Sequence, residues 1–406
     1  MKVPADFNRF NRRELLLDVT RLVWRVWRGG LPTGIDRVCL AYMDHFGDRS
    51  RAVVQRRGFQ VVLGRAASQR LFRILREGGA SARRKLAAFA LGAWPAALMG
   101  KVREGAVYLN VGHTGLNEPA LPAWIERHRL RAVYLVHDLI PITHPEFCRE
   151  GEAEKHRQRM RNVLVSAAGV IGNSQATLED LAAFARAEGL PMPATIAAWI
   201  SGNPVKPGQP RSKADKPYFV TLGTIEGRKN HLLLLQVWRA LAAQLGEDAP
   251  TLFIVGRRGW RADEVFAQLD ELGELQGRVR ELASVGDRQL AELVAGAQAL
   301  LMPSFAEGFG LPVIEALELG TPVIAADLPV YRELVGAIPL YLDPRDSAAW
   351  EEAIQGYLTD GPERQRQIDL AKGYRAPDWP THFDVVENWL ASAIEKSVRH
   401  SGQQLV

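Results

Sequence analysis

The sequence predicts an α/β protein made of two doubly wound domains that face each other across a cleft. Three observations indicate this fold class. The chain has 406 residues, enough for two domains of about 100–200 residues each. Short apolar runs alternate with helical patterns along both halves, which is typical of parallel sheets covered by helices. A stretch rich in proline and glycine separates the two halves.

That stretch is residues 201–217, which contain four prolines, two glycines and no apolar run. Proline and glycine at this density interrupt regular structure, so the segment is predicted to be a linker. The prediction therefore places one Rossmann-like domain at residues 1–200 and a second one at residues 218–375.

The C-terminal half carries the clearer alternation. Its apolar runs predict buried parallel strands at 218–223, 251–256, 298–304, 321–326 and 338–342. Its helical patterns predict helices at 231–246, 287–297 and 347–358. The N-terminal half shows the same alternation less cleanly, with strands predicted at 14–20, 106–112, 131–139 and 167–174. Both halves therefore favour doubly wound sheets.

Composition argues against several classes of protein. The two cysteines, Cys39 and Cys148, are too few for a disulfide framework, so we predict reduced thiols and a cytoplasmic protein. No apolar segment follows the basic residues at the N-terminus, so no signal peptide is expected. The longest apolar run, residues 86–100, is interrupted by Pro95 and is shorter than the ~18–20 residues that span a bilayer. We expect no membrane-spanning segment.

Basic residues concentrate in residues 51–104, which hold twelve Lys or Arg and only two acids. Leucine, phenylalanine, isoleucine and tryptophan lie among them. This mixture is typical of a segment that contacts an anionic membrane, and equally of two amphipathic helices with solvated basic faces. Nucleic acid is not an expected partner, because the chain has no zinc-ligand spacing, RNP motif or helix-turn-helix pattern.

The strand ends hold the candidate site, because ligands of doubly wound sheets bind outside the carboxyl ends of the strands. After the strand at 298–304 the sequence reads AEGFGLPVIE, in which Pro312 begins a helix. A helix N-terminus offers free N–H groups to a phosphate. Glu307 and Glu315 flank it and suit hydroxyl groups on either side, the arrangement of a nucleotide sugar. The alternative is that Glu307 caps the helix and Glu315 is an ordinary surface residue.

A second loop, GTIEGRKNH, follows the strand at 218–223. Arg228 and Lys229 in this loop are either a solvated pair or cations that stabilise a leaving diphosphate, on which negative charge accumulates. Their position at a strand end of the same predicted sheet as the two glutamates favours the second interpretation.

The segments GTIEGRKN, EGFGLPVIEAL and GTPVIAAD resemble the donor half of the retaining family 4 glycosyltransferases, which have the GT-B fold. The two glutamates match the E-x7-E motif of that family. The resemblance implies that Arg228 and Lys229 neutralise the diphosphate, that Glu307 contacts hydroxyls of the donor sugar, and that Glu315 contacts the ribose. The pattern departs from the family at Thr224, where many members carry an arginine.

The N-terminal half resembles the same family. GGLPTGIDRV is similar to its glycine loop and contains Gly34. For VHDLIPITHPEF, the resemblance implies that His137 lies beside the donor sugar. From the residues alone, a simple turn and a core histidine are the alternatives. Ser174 is expected to cap a helix. A final helix at 376–400 is implied to cross back to the N-terminal, acceptor-side domain.

The resemblance thus implies two sets of site residues and no metal ligand. The catalytic set is His137, Lys229 and Glu307. The donor-binding set is Gly34, Gly223, Arg228, Lys229, Glu307, Gly308, Phe309, Gly310, Leu311 and Glu315.

GTIEGRKNH, VHDLIPITHPE and TGIDRV together resemble the mannosyltransferase branch that builds bacterial surface polysaccharides. This implies retaining transfer of a hexose from GDP-mannose to a hydroxyl of a lipid-linked glycan, without a metal or other cofactor. UDP- or dTDP-sugars are alternative donors. The expected location is the cytoplasm, at the inner face of the membrane, with residues 51–104 against anionic lipid.

Two alternatives from other classes remain. A GT-B-like nucleotide-sugar epimerase shares the fold but needs no acceptor. A non-catalytic binding protein is expected to have lost Lys229, Glu307 or His137, all of which are present.

Overall fold

A computed structural model describes residues 13–30, 32–92, 101–202 and 216–403, with side chains described as far as residue 392. Most of the predicted linker, and residues 93–100 of the basic segment, lie outside the described residues. The chain divides into two units. Unit 1 comprises residues 1–139, 154–200 and 379–406, and unit 2 comprises residues 140–153 and 201–378.

Unit 1 is built on a seven-stranded sheet in the order β3-β2-β1-β4-β5-β6-β7. All neighbouring strands are parallel except β2 and β3, which form an antiparallel hairpin. The strands are β1 (Leu15–Asp18), β2 (Ser50–Arg56), β3 (Phe59–Val62), β4 (Val107–Asn110), β5 (Arg131–Val136), β6 (Ala167–Gly172) and β7 (Ala194–Ala197). Chain order reverses direction at β1, which has β2 on one side and β4 on the other.

Helices cover the sheet of unit 1. They are α1 (Thr20–Arg28), α2 (Gly34–Phe46), α3 (Arg65–Glu77), α4 (Gly79–Gly92), α5 (Ala120–Arg127), α7 (Glu152–Ser166), α8 (Gln175–Ala187) and α16 (Trp379–Gln403), while the short α6 (Ile140–Thr143) lies in unit 2. Ser174 caps α8 as predicted, because its side chain accepts a hydrogen bond from the Thr177 amide at 3.1 Å. The last helix packs on β6: the indole of Trp389 lies directly over Gly169, where a Cβ would overlap the ring.

Unit 2 is built on a six-stranded parallel sheet in the order β10-β9-β8-β11-β12-β13. Its strands are β8 (Tyr218–Leu222), β9 (Thr251–Val255), β10 (Val279–Leu282), β11 (Leu300–Met302), β12 (Val323–Ala326) and β13 (Leu340–Leu342). Its further helices are α9 (His231–Leu245), α10 (Asp263–Asp270), α11 (Asp287–Ala295), α12 (Leu311–Glu318), α13 (Pro329–Val335), α14 (Ser347–Gly356) and α15 (Pro362–Ala371). Here chain order reverses at β8, which lies between β9 and β11.

The core of unit 2 explains why α9 is apolar on most of its circumference. Trp238 of α9 is fully buried, packs edge-on against Phe219 of β8, and donates its indole N–H to the Pro250 carbonyl at 2.9 Å. Trp350 of α14 is equally buried beside it in the same cluster. Burial of each large side chain contributes ~1.5–3 kcal/mol, so this cluster holds the helices against the sheet that positions the loops after β8 and β11.

The structure confirms the α/β class, and a strand lies in each segment where the sequence predicts one. The sequence prediction omitted β2, β3, β7 and β10. The basic segment is not a pair of helices throughout, because its first part forms the β2–β3 hairpin and only residues 65–92 form α3 and α4. None of the described helices is both long and apolar enough to cross a membrane.

Residues 140–153 precede the predicted linker and belong to unit 2. The ring of Phe147 stacks on Phe305 with centroids 5.2 Å apart. The Phe147 carbonyl accepts a hydrogen bond from the Trp260 indole at 3.1 Å, and Arg149 lies over the same indole. These contacts attach the segment to the loops that follow β9 and β11.

Candidate active site

The predicted site residues of unit 2 meet at the point where strand order reverses. The loop after β8 (residues 223–230) and the loop after β11 (residues 303–310) leave neighbouring parallel strands at their carboxyl ends. The space outside such a reversal of strand order is where doubly wound sheets bind ligands. The sequence predicted this placement from the strand ends alone.

The loop after β8 holds its two cations in a short 3-10 turn, Gly227–Lys229. Asn230 follows with a positive φ of 54° and donates hydrogen bonds to the Pro303 and Pro344 carbonyls at 3.3 and 2.7 Å. The Phe305 amide donates to the Arg228 carbonyl at 2.8 Å. The two loops are therefore joined by backbone and side-chain hydrogen bonds, which fixes the positions of the cations.

Gly223 permits Lys229 to reach the site. Its φ is +130°, and a Cβ added there would lie 3.0 Å from Cε and 3.1 Å from Nζ of Lys229. The lysine side chain thus lies directly over the glycine backbone at the end of β8. A larger residue at position 223 would displace the ammonium group.

Glu307 is the centre of an ion cluster. Its Oε1 accepts hydrogen bonds from Lys229 Nζ at 2.6 Å and from the Ser304 hydroxyl at 2.7 Å, and its Oε2 accepts from Arg228 at 2.8 Å. Arg228 also donates to the Ala306 carbonyl at 2.8 Å and pairs with Glu226 at 2.6 Å. Two acidic and two basic side chains therefore balance in formal charge within this Glu307 cluster.

Burial and charge act against each other in the cluster. Burial alone would raise the pKa of Glu307, but the charges of Lys229 and Arg228 outweigh it and lower that pKa to about 2. Burial lowers the pKa of Lys229, opposed by Glu307. Burial raises the pKa of Glu226, opposed by Arg228. Glu307 is consequently ionised at physiological pH, and it holds Lys229 in a low-dielectric environment.

Three members of the site were not identified from the sequence. Glu226 and Ser304 bond directly to Arg228 and Glu307, and Glu226 lies two residues before Arg228 in the loop whose cations were singled out. Tyr331 of α13 is fully buried, and its hydroxyl has no hydrogen-bond partner among the described residues. Burial and the nearby Glu307 charge raise the pKa of Tyr331 well above its ordinary value.

The loop after β11 packs on the Tyr331 ring through Gly310. Gly310 has φ +91° and caps the N-terminus of α12, and a Cβ at this position would overlap the ring. Pro312 lies in the first turn of α12, as predicted. The side chain of Phe309 is buried, so only its backbone is available to a ligand.

Glu315 lies in the second turn of α12, and its side chain packs against Gly202. A Cβ on Gly202 would be 3.0 Å from Glu315 Cγ. The two glutamates of the motif are therefore in different environments: Glu307 is bonded within the ion cluster, and Glu315 is half-buried on the helix.

We expect Gly310→Ala to destabilise unit 2 more than Gly320→Ala. Both glycines have a positive φ, but nothing lies within 4 Å of a Cβ at Gly320, which makes it a matched control for backbone strain alone. The additional overlap with Tyr331 should cost about 1–3 kcal/mol of unfolding free energy. Denaturant unfolding of both variants measures this difference. If both variants lose the same free energy of unfolding, the overlap with the Tyr331 ring does not affect stability.

His137 of unit 1 follows β5 and is buried. Its Nε2 donates to the Val111 carbonyl at 2.8 Å, so the neutral ring carries its lone pair on Nδ1. Its backbone amide donates to His113 Nε2 at 3.2 Å, and the two rings lie 4.9 Å apart. Burial lowers the pKa of His137 to about 4, so the imidazole is neutral at physiological pH. His113 was not identified from the sequence.

This lowered pKa predicts a specific pH dependence. An unfolded histidine takes a proton below about pH 6.5, whereas folded His137 does so only near pH 4. Its contribution to stability is therefore present above pH 6.5 and is lost as the pH falls through about 4. We expect His137→Gln to lose less thermal stability than the wild type between pH 7 and pH 4.5. His128 is half-exposed, so His128→Gln serves as the control. If thermal stability falls with pH as steeply in His137→Gln as in the wild type, the prediction is contradicted.

Gly34 is the first residue of α2, as the sequence predicted for a glycine that opens a helix. Thr33 and Asp36 form a capping box at this N-terminus. Arg21 of α1 pairs with Asp36 at 2.8 Å and donates to the Thr33 hydroxyl at 3.2 Å. The N-terminus of α2 is thus rigidly held beside an arginine.

Residues 203–373 match the family model "Glycosyl transferases group 1". We refer to residues 203–373 as the group 1 domain, after the family model that they match. The match falls within unit 2 and includes the whole Glu307 cluster, so this cluster lies in the group 1 domain.

Three curated relatives each match part of the chain. Serotype-specific mannosyltransferase WbdA of Escherichia coli is 29% identical over 251 residues, which is 56% of this chain and 30% of WbdA. O-antigen chain mannosyltransferase B of Escherichia coli is 39% identical over 156 residues, 38% of this chain and 40% of that protein. RfbU, the O-antigen chain mannosyltransferase of Salmonella typhimurium, is 32% identical over 186 residues, 45% and 49% of the two chains. The chain spans less than half the length of these three relatives.

Solved structures show the fold of the whole chain. Anabaena Alr3699/HepE in complex with UDP is 19% identical and superposes over 97% of this chain and 100% of that one, with a TM-score of 0.59. Sucrose-phosphate synthase of Thermosynechococcus elongatus is 17% identical over 97% and 99% of the two chains, with a TM-score of 0.58. These neighbours confirm the predicted GT-B fold, in which the group 1 domain is the second of two Rossmann-like parts.

Proposed function

We propose that the chain is a retaining hexosyltransferase that moves a hexose from a nucleoside diphosphate sugar to a hydroxyl of a glycan. The observation that supports this best is the buried Glu307 cluster at the strand-order reversal of the group 1 domain. Cleavage of a nucleotide sugar leaves a diphosphate, on which negative charge develops. Cations that are already fixed in place stabilise that charge without reorganisation.

In this proposal Lys229 and Arg228 stabilise the departing diphosphate, and Glu307 positions both. A carboxylate has about four acceptor positions. Lys229 and Ser304 use two on Oε1 and Arg228 uses one on Oε2, which leaves one acceptor position on Oε2. We assign that position to a hydroxyl of the donor sugar. Glu307 then has two roles, holding the cations and orienting the sugar.

The remaining donor contacts are assigned along α12 and the loop before it. The backbone amides at Gly308, Phe309, Gly310 and Leu311 would bind the sugar and diphosphate at the helix N-terminus, where the helix dipole favours negative charge. Glu315, further along the same helix, would accept hydrogen bonds from the ribose. Gly223 contributes by leaving space for Lys229. In unit 1, Gly34 is assigned to the diphosphate and His137 is the catalytic histidine, present as neutral imidazole.

The proposed transfer needs no side-chain base and no metal ion. The acceptor hydroxyl attacks the anomeric carbon from the face that the diphosphate leaves, so the anomeric configuration is retained. The bond from the anomeric carbon to the diphosphate oxygen breaks, a bond to the acceptor oxygen forms, and the departing phosphate oxygen takes the hydroxyl proton. Lys229 and Arg228 supply the positive charge that a metal provides elsewhere.

GDP-mannose is the proposed donor, because the three curated relatives that match parts of this chain are named mannosyltransferases. UDP- and dTDP-sugars are the alternative, supported by the UDP held in the structural neighbour HepE. Thermal unfolding with GDP, UDP and dTDP at equal concentration distinguishes them, since a ligand raises stability by RT ln(1 + [L]/Kd). We expect the largest rise with GDP. A larger rise with UDP would reassign the donor, and no rise with any nucleotide would contradict the proposed function.

The proposed acceptor is a lipid-linked glycan at the inner face of the cytoplasmic membrane, reached through peripheral contact of α3 and α4. On α3, Arg65, Arg70 and Arg73 are exposed while Phe72 and Leu75 are buried, so the basic face is directed to solvent. Such a face attracts anionic lipid by about 1 kcal/mol per basic residue near the surface.

We therefore expect the protein to sediment with phosphatidylglycerol vesicles and not with phosphatidylcholine vesicles. The double variant Arg70→Glu, Arg73→Glu should sediment far less. If this variant and the wild type sediment equally, the proposed contact between α3 and anionic lipid is contradicted.

A further inference from the structure

His137, to which the proposed transfer assigns a catalytic role, is held through its backbone as well as through its ring. The ring Nε2 donates to the Val111 carbonyl at 2.8 Å. The His137 carbonyl accepts a hydrogen bond from the Asn173 side chain at 2.7 Å. The His137 amide donates to Nε2 of His113 at 3.2 Å. Two residues of the loop after β4, Val111 and His113, therefore hold His137 at two different points.

His113 makes this contact from a strained backbone. Its φ is 57°, in the left-handed region that residues other than glycine seldom adopt. The preceding residue is fixed on both sides, because the Gly112 amide donates to Asn110 Oδ1 at 3.2 Å and the Gly112 carbonyl accepts from Arg21 at 3.5 Å. Strained residues of this kind concentrate at functional sites, where the surrounding structure holds them in place. The loop thus keeps His113 in the conformation from which its ring reaches His137.

The hydrogen bond requires one protonation state of His113. Its Nε2 accepts, so this nitrogen carries the lone pair and the ring proton lies on Nδ1. His137 has the opposite tautomer, since its Nε2 donates. Burial lowers the pKa of His113 well below its ordinary value, and the positive charges of His137, His156, Arg159 and Arg21 lower it further. His113 is consequently neutral at physiological pH and keeps its acceptor.

The ring of His113 also packs on the ring of His137. Their centroids lie 4.9 Å apart with an angle of 62° between the planes, so one ring meets the other edge-on. On its other side His113 lies 5.8 Å from His156, which donates to the Asp138 carbonyl at 3.1 Å. The hydrogen bond fixes the backbone from which the His137 side chain extends, and the ring contact limits rotation of that side chain.

We propose that His113 is a positioning residue for His137. It holds His137 with Nε2–H on the Val111 carbonyl, which leaves Nδ1 as the ring nitrogen available to a substrate. This inference rests on the proposed function for the part that His137 takes in the transfer. The positioning itself involves only residues of unit 1, so it can be measured without any substrate.

Two variants separate the contacts of His113 from its backbone strain. His113→Gly removes the acceptor and the ring and relieves the strain at φ 57°, so it is expected to fold. His113→Asn keeps a side-chain acceptor on a residue that tolerates the left-handed region. Arg129→Gly is the matched control, because Arg129 has a similar φ of 48°, is exposed, and precedes β5, whereas His137 follows that strand.

The first test is long-range ¹H–¹⁵N correlation NMR at pH 7 of the full chain with ¹⁵N-labelled histidine, without nucleotide. In the wild type we expect the ring proton of His137 on Nε2 and that of His113 on Nδ1. In His113→Gly the nitrogen shifts of His137 should move toward the average of the two tautomers, while His113→Asn and Arg129→Gly should keep the wild-type pattern. A proton on Nε2 of His113, or an unchanged His137 pattern in His113→Gly, would overturn the proposal.

Kinetics provide the second test. Misplacement of a catalytic group lowers the rate of the chemical step, so His113→Gly should lower kcat at least about tenfold and change the KM for GDP-mannose by less than about twofold. His113→Asn should recover most of the wild-type kcat, and Arg129→Gly should not change it. A wild-type kcat in His113→Gly would overturn the proposal. Absence of transfer in the wild type would instead contradict the proposed function, and the tautomer measurement would still decide whether His113 positions His137.

Discussion

Replacing Lys229 by alanine is expected to lower kcat for hexose transfer by at least about 10²–10³-fold, the effect of removing one preorganised donor from a charged transition state. Lys229 is buried over Gly223, and its ammonium group is held by Glu307. The other cation of the Glu307 cluster, Arg228, is itself held by Glu226, Glu307 and the Ala306 carbonyl. The measurement is the steady-state rate of nucleotide release with saturating donor and acceptor.

Lys372→Ala is the matched control for this variant. Lys372 is an exposed lysine of the same unit, paired with Asp369 three residues earlier, and its loss should leave kcat unchanged. Circular dichroism confirms that each variant folds. A Lys229→Ala variant that folds and turns over at a near-normal rate would show that the ammonium group does not act on the leaving group.

The second large effect concerns stability. Glu307→Ala should lower the free energy of unfolding by about 3–5 kcal/mol, because it leaves the Lys229 charge buried without its partner. Glu307→Gln should cost less, since the amide oxygen still accepts from Lys229 or Ser304. Denaturant unfolding at pH 7 gives both values. Glu318→Ala, at the exposed C-terminal end of α12 and outside the cluster, is the control and should change stability little.

The pKa of Glu307 predicts how this difference depends on pH. The folded pKa is about 2, below the ordinary value of 4.5. The ionised group therefore contributes its full stabilisation above about pH 4.5 and loses it as the pH falls through about 2. The difference in the free energy of unfolding between the wild type and Glu307→Gln should therefore become smaller as the pH is lowered from about 4.5 to about 2. A constant gap would mean that the stabilisation does not depend on the charge of Glu307.

The fold could be predicted largely because its central strands are buried on both faces and are therefore continuous apolar runs. β8 and β12 are of this kind, and both were predicted within two residues of their observed ends. The omitted β10 is an edge strand whose Arg280 and Glu281 interrupt the apolar pattern. The sequence pattern of an edge strand that carries charged residues cannot be distinguished from that of a loop.

The omitted β2 shows a different limit. It is buried next to β1, yet it contains Arg51, which made the segment resemble a solvated basic stretch. In the structure Arg51 is buried because it pairs with Glu14 at 3.0 Å and donates to the Leu63 and Lys101 carbonyls. The partner lies 37 residues away, and nothing local indicates that this charge is satisfied.

For the candidate site, the sequence predicted which loops meet but not which atoms pair. The placement of Arg228, Lys229 and Glu307 followed from strand ends in one sheet, and the structure brings all three together. The sequence prediction assigned Glu307 to the donor sugar alone. Glu307 pairs with Lys229 and Arg228, which lie 78 and 79 positions earlier in the chain. This pairing requires β8 and β11 to be neighbours in the sheet, and the strand order determines that. The buried Tyr331 was missed because an isolated tyrosine in a helix carries no local signal.

The central claim is that the Glu307 cluster supports transfer from a nucleotide sugar with retention of configuration. The most direct measurement is proton NMR of the product formed from GDP-α-D-mannose and a mannobiose acceptor. We expect a new α-linked mannose residue with the wild type and far less of it with Lys229→Ala after the same reaction time. A β-linked product, or equal α-linked product from both proteins, would contradict the claim.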